Sequence, residues 1–343
     1  MFGAYRTFLA LMVATGHLFG PFQLGTYAVF GFYVLSGFLM TLIMHESYGY
    51  SLQGIGRYVL NRILRIYPAY WAACLISAAL ILFFSVTKTV EYHESMYLPQ
   101  NAGEFFRNLF IIFIKFPGPR LVPPAWALTI ELIFYILIAL GISRNLYVCL
   151  LWLAASLAYT VYINLQGMEW QYRYFGVFAA SLPFSLGACS YLISRKYRGI
   201  LKLFDDGRIP VALFAVMCVN FLSNYYLGTV SGSGFYINLV IVVLMVISLS
   251  DKERIWFLDR RMDKRIGGLS YPVYLVHWQC GLLVWGLGLA AVKRSLPFLL
   301  MSLPIVLVLA WAINKYIEKP IERMRGWIKA RREAVLNLVG EKS

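Results

Sequence analysis

The sequence predicts an all-α, polytopic membrane protein of about ten transmembrane helices with both termini in the cytoplasm. Three observations carry that expectation. The 343-residue chain is 60% hydrophobic and 14% charged, with a mean hydropathy of +0.67. That is more apolar surface than a soluble domain of this size can hide, so lipid must solvate part of it. Apolar runs near the ~20 residues that a bilayer crossing needs occur ten times, at 4–20, 27–45, 66–86, 125–143, 145–163, 172–193, 209–227, 235–250, 270–291 and 297–317. Finally, the basic residues between these runs alternate in density from one side to the other.

Of the 31 Lys and Arg residues, seven fall on the side predicted to be outside: Lys88, Arg107, Lys115, Arg120, Arg173, Lys293 and Arg294. The other 24 gather in segments that an inside N-terminus would leave in the cytoplasm, as the positive-inside rule requires. The net charge of +15 therefore reads as orientation and contact with anionic headgroups, not as a nucleic-acid surface.

The first run, "YRTFLALMVATGHLFG", holds two ionisable residues that are costly in lipid, Arg6 and His17. Eleven positions apart on a helix, they point within about 20° of one another and are separated by about 16 Å along the axis. They form one polar stripe, with Arg6 at the cytoplasmic edge and His17 past the midplane. A snorkelling anchor and a hydrogen-bonded packing histidine would explain them equally well. An imidazole is also the side chain best suited to accept a hydroxyl proton near neutral pH.

In the second run, "FGFYVLSGFLM", Ser36-Gly37 predicts close backbone approach to a neighbouring helix. The stretch "NRILRIYPAYW" then places Arg62 and Arg65 on one helical face just before a turn at Pro68. Two guanidinium forks on one face suit bidentate capture of phosphate, although an ordinary inner-leaflet anchor has the same RxxR spacing. The long outer segment 87–124 contains "FFRNLFIIFIKF", too short to span, which predicts a re-entrant or interfacial helix at 105–116.

Run 125–143 opens with "PPAWALTIELIFYIL", in which Glu131 stands about five residues into the span and must face the protein interior. Trp126 and Tyr135 flank it as belt and packing residues. The four runs from 145 to 250 offer no motif. In "GGLSYPVYLVHWQ", Ser270 and His277 are seven apart and share a face, with interhelical hydrogen bonding as the plainer use of His277.

After the last run the chain is expected to divide into a transmembrane domain, 1–321, and a basic tail, 322–343, lying on the inner leaflet. The five cysteines, all in apolar runs without a CxxC pair, read as packing residues. His93 in "EYHES" is expected in a solvated outer loop without partners, so no metal site is predicted.

Together, Arg6 and His17, "FYVLSGFL", Arg62-x-x-Arg65 with "IYPAYW", "WALTIELIFY", "LSYPVYLVH" and "YIEKPIERMR" at 316–325 resemble, in order and across nearly the whole chain, the acyltransferase-3 family of membrane O-acyltransferases. Two positions depart from the family pattern. Gly3, Ala4 and Tyr5 stand where an acidic residue often precedes the first arginine, and Ala127 replaces a serine.

The resemblance implies transfer of an acyl group, acetyl first, from cytoplasmic acyl-CoA to a hydroxyl of a sugar or lipid-linked glycan at the outer face of a bacterial inner membrane. It implies a stand-alone transmembrane type with no metal. His17 would be the general base or an acyl relay, with Glu131 orienting it. Arg6, Arg62 and Arg65 would hold the CoA phosphates. Ser36, Trp126, Tyr135, Ser270 and His277 would line the substrate pocket. The rival expectation from the same residues is a proton-coupled transporter or flippase of an anionic lipid-linked saccharide.

Overall fold

The computed structural model describes residues 1–20, 24–114, 118–204, 206–250, 252–255 and 258–325. Fifteen α-helices follow one another among these residues: α1 (Gly3–Phe19), α2 (Leu24–Ile43), α3 (Leu52–Phe84), α4 (Val86–Tyr92), α5 (Ala102–Phe110), α6 (Ala125–Ala139), α7 (Leu146–Leu165) and α8 (Trp170–Tyr174), then α9 (Val177–Lys196), α10 (Arg198–Lys202), α11 (Ile209–Tyr226), α12 (Ser233–Ser250), α13 (Arg260–Gly267), α14 (Ser270–Gly286) and α15 (Leu296–Ile313). A two-residue antiparallel pair, Arg254–Ile255 with Leu258–Asp259, precedes α13.

Each of the ten apolar runs contains a helix of 15 residues or more. Seven helices, counting their π-helical or short helical extensions, are long and apolar enough to cross a membrane. They begin at Leu24, Leu52, Leu146, Trp170, Ile209, Ser233 and Leu296. Three runs fall short of that measure: α6 is apolar but has 15 residues, while α1 and α14 have 17 each. The two 17-residue helices carry Arg6 and His17 on α1 and Ser270 and His277 on α14, and both pack inside the bundle. Met1 and Arg325 line the same cavity, so the first residue and the last described one lie at one end of the molecule.

The expected turn at Pro68 is absent. Helix α3 runs unbroken through it for 33 residues, about 50 Å at 1.5 Å per residue, well beyond a hydrocarbon core of about 30 Å. A proline removes one backbone donor, and the neighbouring turns on either side carry the helix through. The consequence is positional: Arg62 and Arg65 stand on the same rigid rod as the membrane-crossing part of α3. Ser51 caps its start, its hydroxyl accepting from Gly54 N at 3.1 Å.

The short outer segment is helical only over α5, which ends at Ile111 in the left-handed conformation, φ 57°. Residues 115–116 of the expected 105–116 helix lie outside the described residues. Three aromatic donors of α3 bind the last carbonyls of α5: Tyr70 Oη to Asn108 O at 2.7 Å, Trp71 Nε1 to Leu109 O at 3.0 Å and Tyr67 Oη to Phe110 O at 3.0 Å. These are carbonyls that a helix C-terminus leaves without partners. Phe105, Phe106 and Phe110 stay exposed, the pattern of a helix lying in an interface.

Helices α2 and α9 make the closest crossing. A Cβ on Gly37 would lie 2.1 Å from Phe184 O, and one on Gly187 would lie 1.9 Å from Val34 O. Only hydrogen fits, which is how small residues let membrane helices approach. Gly187→Ala is therefore expected to destabilise the protein by about 1–3 kcal/mol. Gly56→Ala, with nothing within 4 Å of its Cβ, should instead stabilise α3 by about 0.5–1 kcal/mol. Thermal unfolding in detergent would read both signs; equal midpoints for the two variants would contradict the packing described.

Candidate active site

At the end that carries Met1, a cavity of about 490 Å³ is lined by six cations, Arg6, Arg62, Arg65, Arg260, Lys264 and Arg325, against two acids, Asp263 and Glu322. Both acids are engaged. Asp263 caps α1, its carboxylate accepting from Gly3 N and Ala4 N at 2.9 Å each. A carboxylate at a helix N-terminus is favoured by the dipole as well as by the free N–H groups. Glu322 sits 3.0 Å from Lys264.

The α1–α13 contact that brings Asp263 there depends on two glycines. A Cβ on Gly3 would lie 2.0 Å from Asp263 O, and one on Gly267 would lie 2.4 Å from Gly3 Cα.

The vestibule continues into a narrower pocket of about 120 Å³. Arg6, Arg62 and Arg65 border both spaces. Ser36, Glu131, Tyr135 and Ser270 line the inner pocket, so helices α1, α2, α3, α6 and α14 all contribute. Ser36 Oγ donates to Glu131 Oε1 at 2.6 Å, and Tyr135 donates its hydroxyl proton to the same oxygen.

The arginines are held from behind but not saturated. Arg65 Nη1 lies 3.1 Å from Glu318, whose side chain is 5% exposed. Arg62 Nη2 donates to Asn61 Oδ1 at 2.7 Å, and that oxygen also accepts from Arg325 Nη2 at 2.6 Å. The Nε atoms of Arg6, Arg62 and Arg325 are buried with no hydrogen-bond partner. A buried donor left unpaired costs about 1–3 kcal/mol, and three such donors belong to residues that line this one cavity.

The structure thus brings together Arg6, Arg62, Arg65, Ser36, Glu131, Tyr135 and Ser270. It separates three of the predicted residues from them. Trp126 lies outside the pocket lining, its ring 4.7 Å from Phe175 and 5.5 Å from Tyr174. His17 and His277 do not line the pocket either; they bind one another, Nδ1 of His17 lying 2.9 Å from Nε2 of His277.

The expected partnership of Glu131 with His17 is not formed. The carboxylate is turned to Ser36 and Tyr135, one turn of α6 away from the latter, and an imidazole is what His17 meets. Tyr274 links the two regions: it lines the pocket, and its ring is 6.3 Å from that of His277.

His93 is not solvated as expected. Its ring stands edge-on to Trp278 at 4.4 Å, and Trp278 packs 5.1 Å from His17. The Nδ1 of His93 accepts from Ser95 N at 3.2 Å. Burial, together with Arg120 and Arg294, pushes His93 down to about 4, so it stays neutral at physiological pH. Among the described residues no three His, Cys, Asp or Glu side chains converge as metal ligands.

Sequence reasoning missed Arg260, Lys264 and Arg325 as cavity residues. The run "RRMDKR" at 260–265 was visible only as one basic segment among several. Glu318, the partner of Arg65, was likewise visible only as a letter of the last motif.

Many apolar helices around a strongly cationic cavity describe a multi-pass membrane protein. Residues 4–315 match the family profile described as an acyltransferase domain, and the chain belongs to that family, acyltransferase-3. It is 24% identical, over an alignment of 375 positions, to the Bacillus subtilis protein named "Putative peptidoglycan O-acetyltransferase YrhL". The alignment takes in 98% of this chain and 56% of that relative, so the chain spans little more than half the length of the curated protein it matches. No solved structure matches the chain.

Proposed function

We propose that the protein transfers an acyl group, acetyl first, from acyl-CoA at the cytoplasmic face of a bacterial inner membrane to a hydroxyl of a glycan at the outer face. The observation that carries this reading is the six-cation vestibule, adjoining a narrow pocket in a chain of the acyltransferase family. CoA carries three phosphates at one end and a slender arm at the other. Arg62 and Arg65 take two of those phosphates, and Arg260, Lys264 and Arg325 supply charge for the third.

The arm runs past Ser36, Glu131 and Tyr135 toward Tyr274 and the histidine pair. There His17 takes the acceptor's hydroxyl proton as the oxygen attacks the thioester carbonyl, or itself carries the acyl group between donor and acceptor. Glu131 serves the arm as a hydrogen-bond acceptor. The 24 basic residues on one side support cytoplasmic termini, as does the shared cavity of Met1 and Arg325. The name of the Bacillus subtilis relative makes a peptidoglycan-type glycan the first acceptor to try.

Calorimetric titration of the detergent-purified protein with acetyl-CoA tests the reading, alongside transfer of radiolabelled acetyl to peptidoglycan fragments. Binding that weakens with salt is expected, since the contact is largely to phosphates. Failure to bind any acyl-CoA, with flipping or uptake of an anionic saccharide in vesicles, would replace it with the transport reading.

A further inference from the structure

Nδ1 of His17 lies 2.9 Å from Nε2 of His277. The ring planes are within 10° of parallel while the centroids are 5.1 Å apart. With nitrogens so close and centroids so far, the rings meet edge to edge, as a ring N–H aimed at a lone pair requires. The second nitrogen of His277, Nδ1, lies 3.3 Å from Val273 O, one turn back on α14. A carbonyl oxygen only accepts, so Nδ1 of His277 carries a proton, and in a neutral ring Nε2 is then an acceptor.

That acceptor must be met by an N–H, which puts the proton of His17 on its Nδ1. Nε2 of His17 is left with its lone pair and, among the described residues, no hydrogen-bond partner. His277 is fully buried while His17 is half-buried, so the pair has one sealed end and one accessible end.

We infer that His277 is a positioning residue that fixes the Nδ1–H tautomer of His17 and so makes Nε2 the reacting atom. The inference rests on the acyl-transfer reading of His17. In direct transfer, Nε2 takes the hydroxyl proton as the oxygen–acyl bond forms and the carbon–sulfur bond breaks; the departing thiolate then takes that proton from Nε2. In the relay, Nε2 attacks the thioester carbonyl and thiolate leaves; the acyl group passes to the acceptor oxygen, whose proton ends on the thiolate. Both routes need a lone pair on Nε2. Both also place positive charge on the ring, which the Nδ1–H bond to His277 stabilises as the orienting member of a triad does.

The tautomer can be read from ¹⁵N shifts of the full-length protein labelled at histidine, with His17→Ala assigning the signal, whether or not any donor turns over. Nδ1–H is expected in the wild type. His277→Leu should shift His17 to Nε2–H and lower kcat about 100-fold or more, since a wrong tautomer costs up to about 10⁴, with little change in KM for acetyl-CoA. His277→Gln, whose amide oxygen can accept where Nε2 did, should keep kcat within about tenfold.

A wild-type Nε2–H tautomer overturns the inference even if the leucine variant does not fold. It is also overturned by an unchanged tautomer in that variant, or by a glutamine variant with the correct tautomer that is as slow as leucine. An Nδ1–H wild type that consumes no acyl-CoA upholds the positioning and sinks the acyl-transfer reading instead.

Discussion

His17→Ala is expected to reduce acetyl-CoA turnover by about 10²–10⁴, the usual contribution of a positioned acid–base group, while leaving donor affinity within about twofold. The two effects separate because His17 and the vestibule lie at opposite ends of α1. Arg6 borders the vestibule, and His17 follows eleven residues later, about 16 Å along the axis. Thiol release measured beside equilibrium binding gives both quantities from one preparation. Turnover unchanged by the substitution would remove His17 from the chemistry under either route. Turnover and binding lost together would mean that the substitution acts on the fold.

Arg62→Ala with Arg65→Ala is expected to produce the opposite pattern, a loss of binding. A hydrogen bond to a charged group contributes about 1.5–3 kcal/mol, so removing both forks should weaken acetyl-CoA binding by roughly 10²–10⁴. The salt dependence should become shallower as well. Arg65 needs a control, because its removal strands Glu318, whose side chain is 5% exposed. Breaking a buried pair from one side costs about 3–5 kcal/mol, and a destabilised protein could mimic a binding defect. Arg65→Ala with Glu318→Gln removes the stranded charge. If that variant unfolds as the wild type does and still binds weakly, the loss belongs to the donor. Unchanged affinity in the double arginine variant would move the phosphates to Arg260, Lys264 and Arg325.

The helical, many-span class was legible because its cause is local and additive. Apolar runs of a given length must be helical in lipid, where every backbone group needs an internal partner. The Arg6–His17 stripe was legible for the same reason, since helix geometry alone aligns residues eleven apart. That Arg62 and Arg65 share one face followed from their spacing, and the continuity of α3 through Pro68 changed where they stand without changing that face.

The partners were a different matter. A carboxylate near the head of α6 and an imidazole in α1 suggested a pair, yet Glu131 is taken by Ser36 and Tyr135. The trio of Arg62, Asn61 and Arg325 joins residues more than 250 positions apart, and nothing in the RxxR motif points to it. His93 stood in a polar stretch of sequence, and only the arrival of Trp278 encloses it.

The sequence by itself determined that this chain is helical, lipid-embedded and polar along one face of its first helix. These properties depend on side chains within a turn or two of each other, and on the cost of burying polar groups in hydrocarbon. Only the tertiary structure decided that His17 meets His277 across 260 positions of chain, and that six cations from four separate stretches share one cavity. A hydrogen bond is directional and reaches about 3 Å. Which groups fall within that reach is set by how α14 and α13 pack on α1, and no spacing in a linear sequence records it.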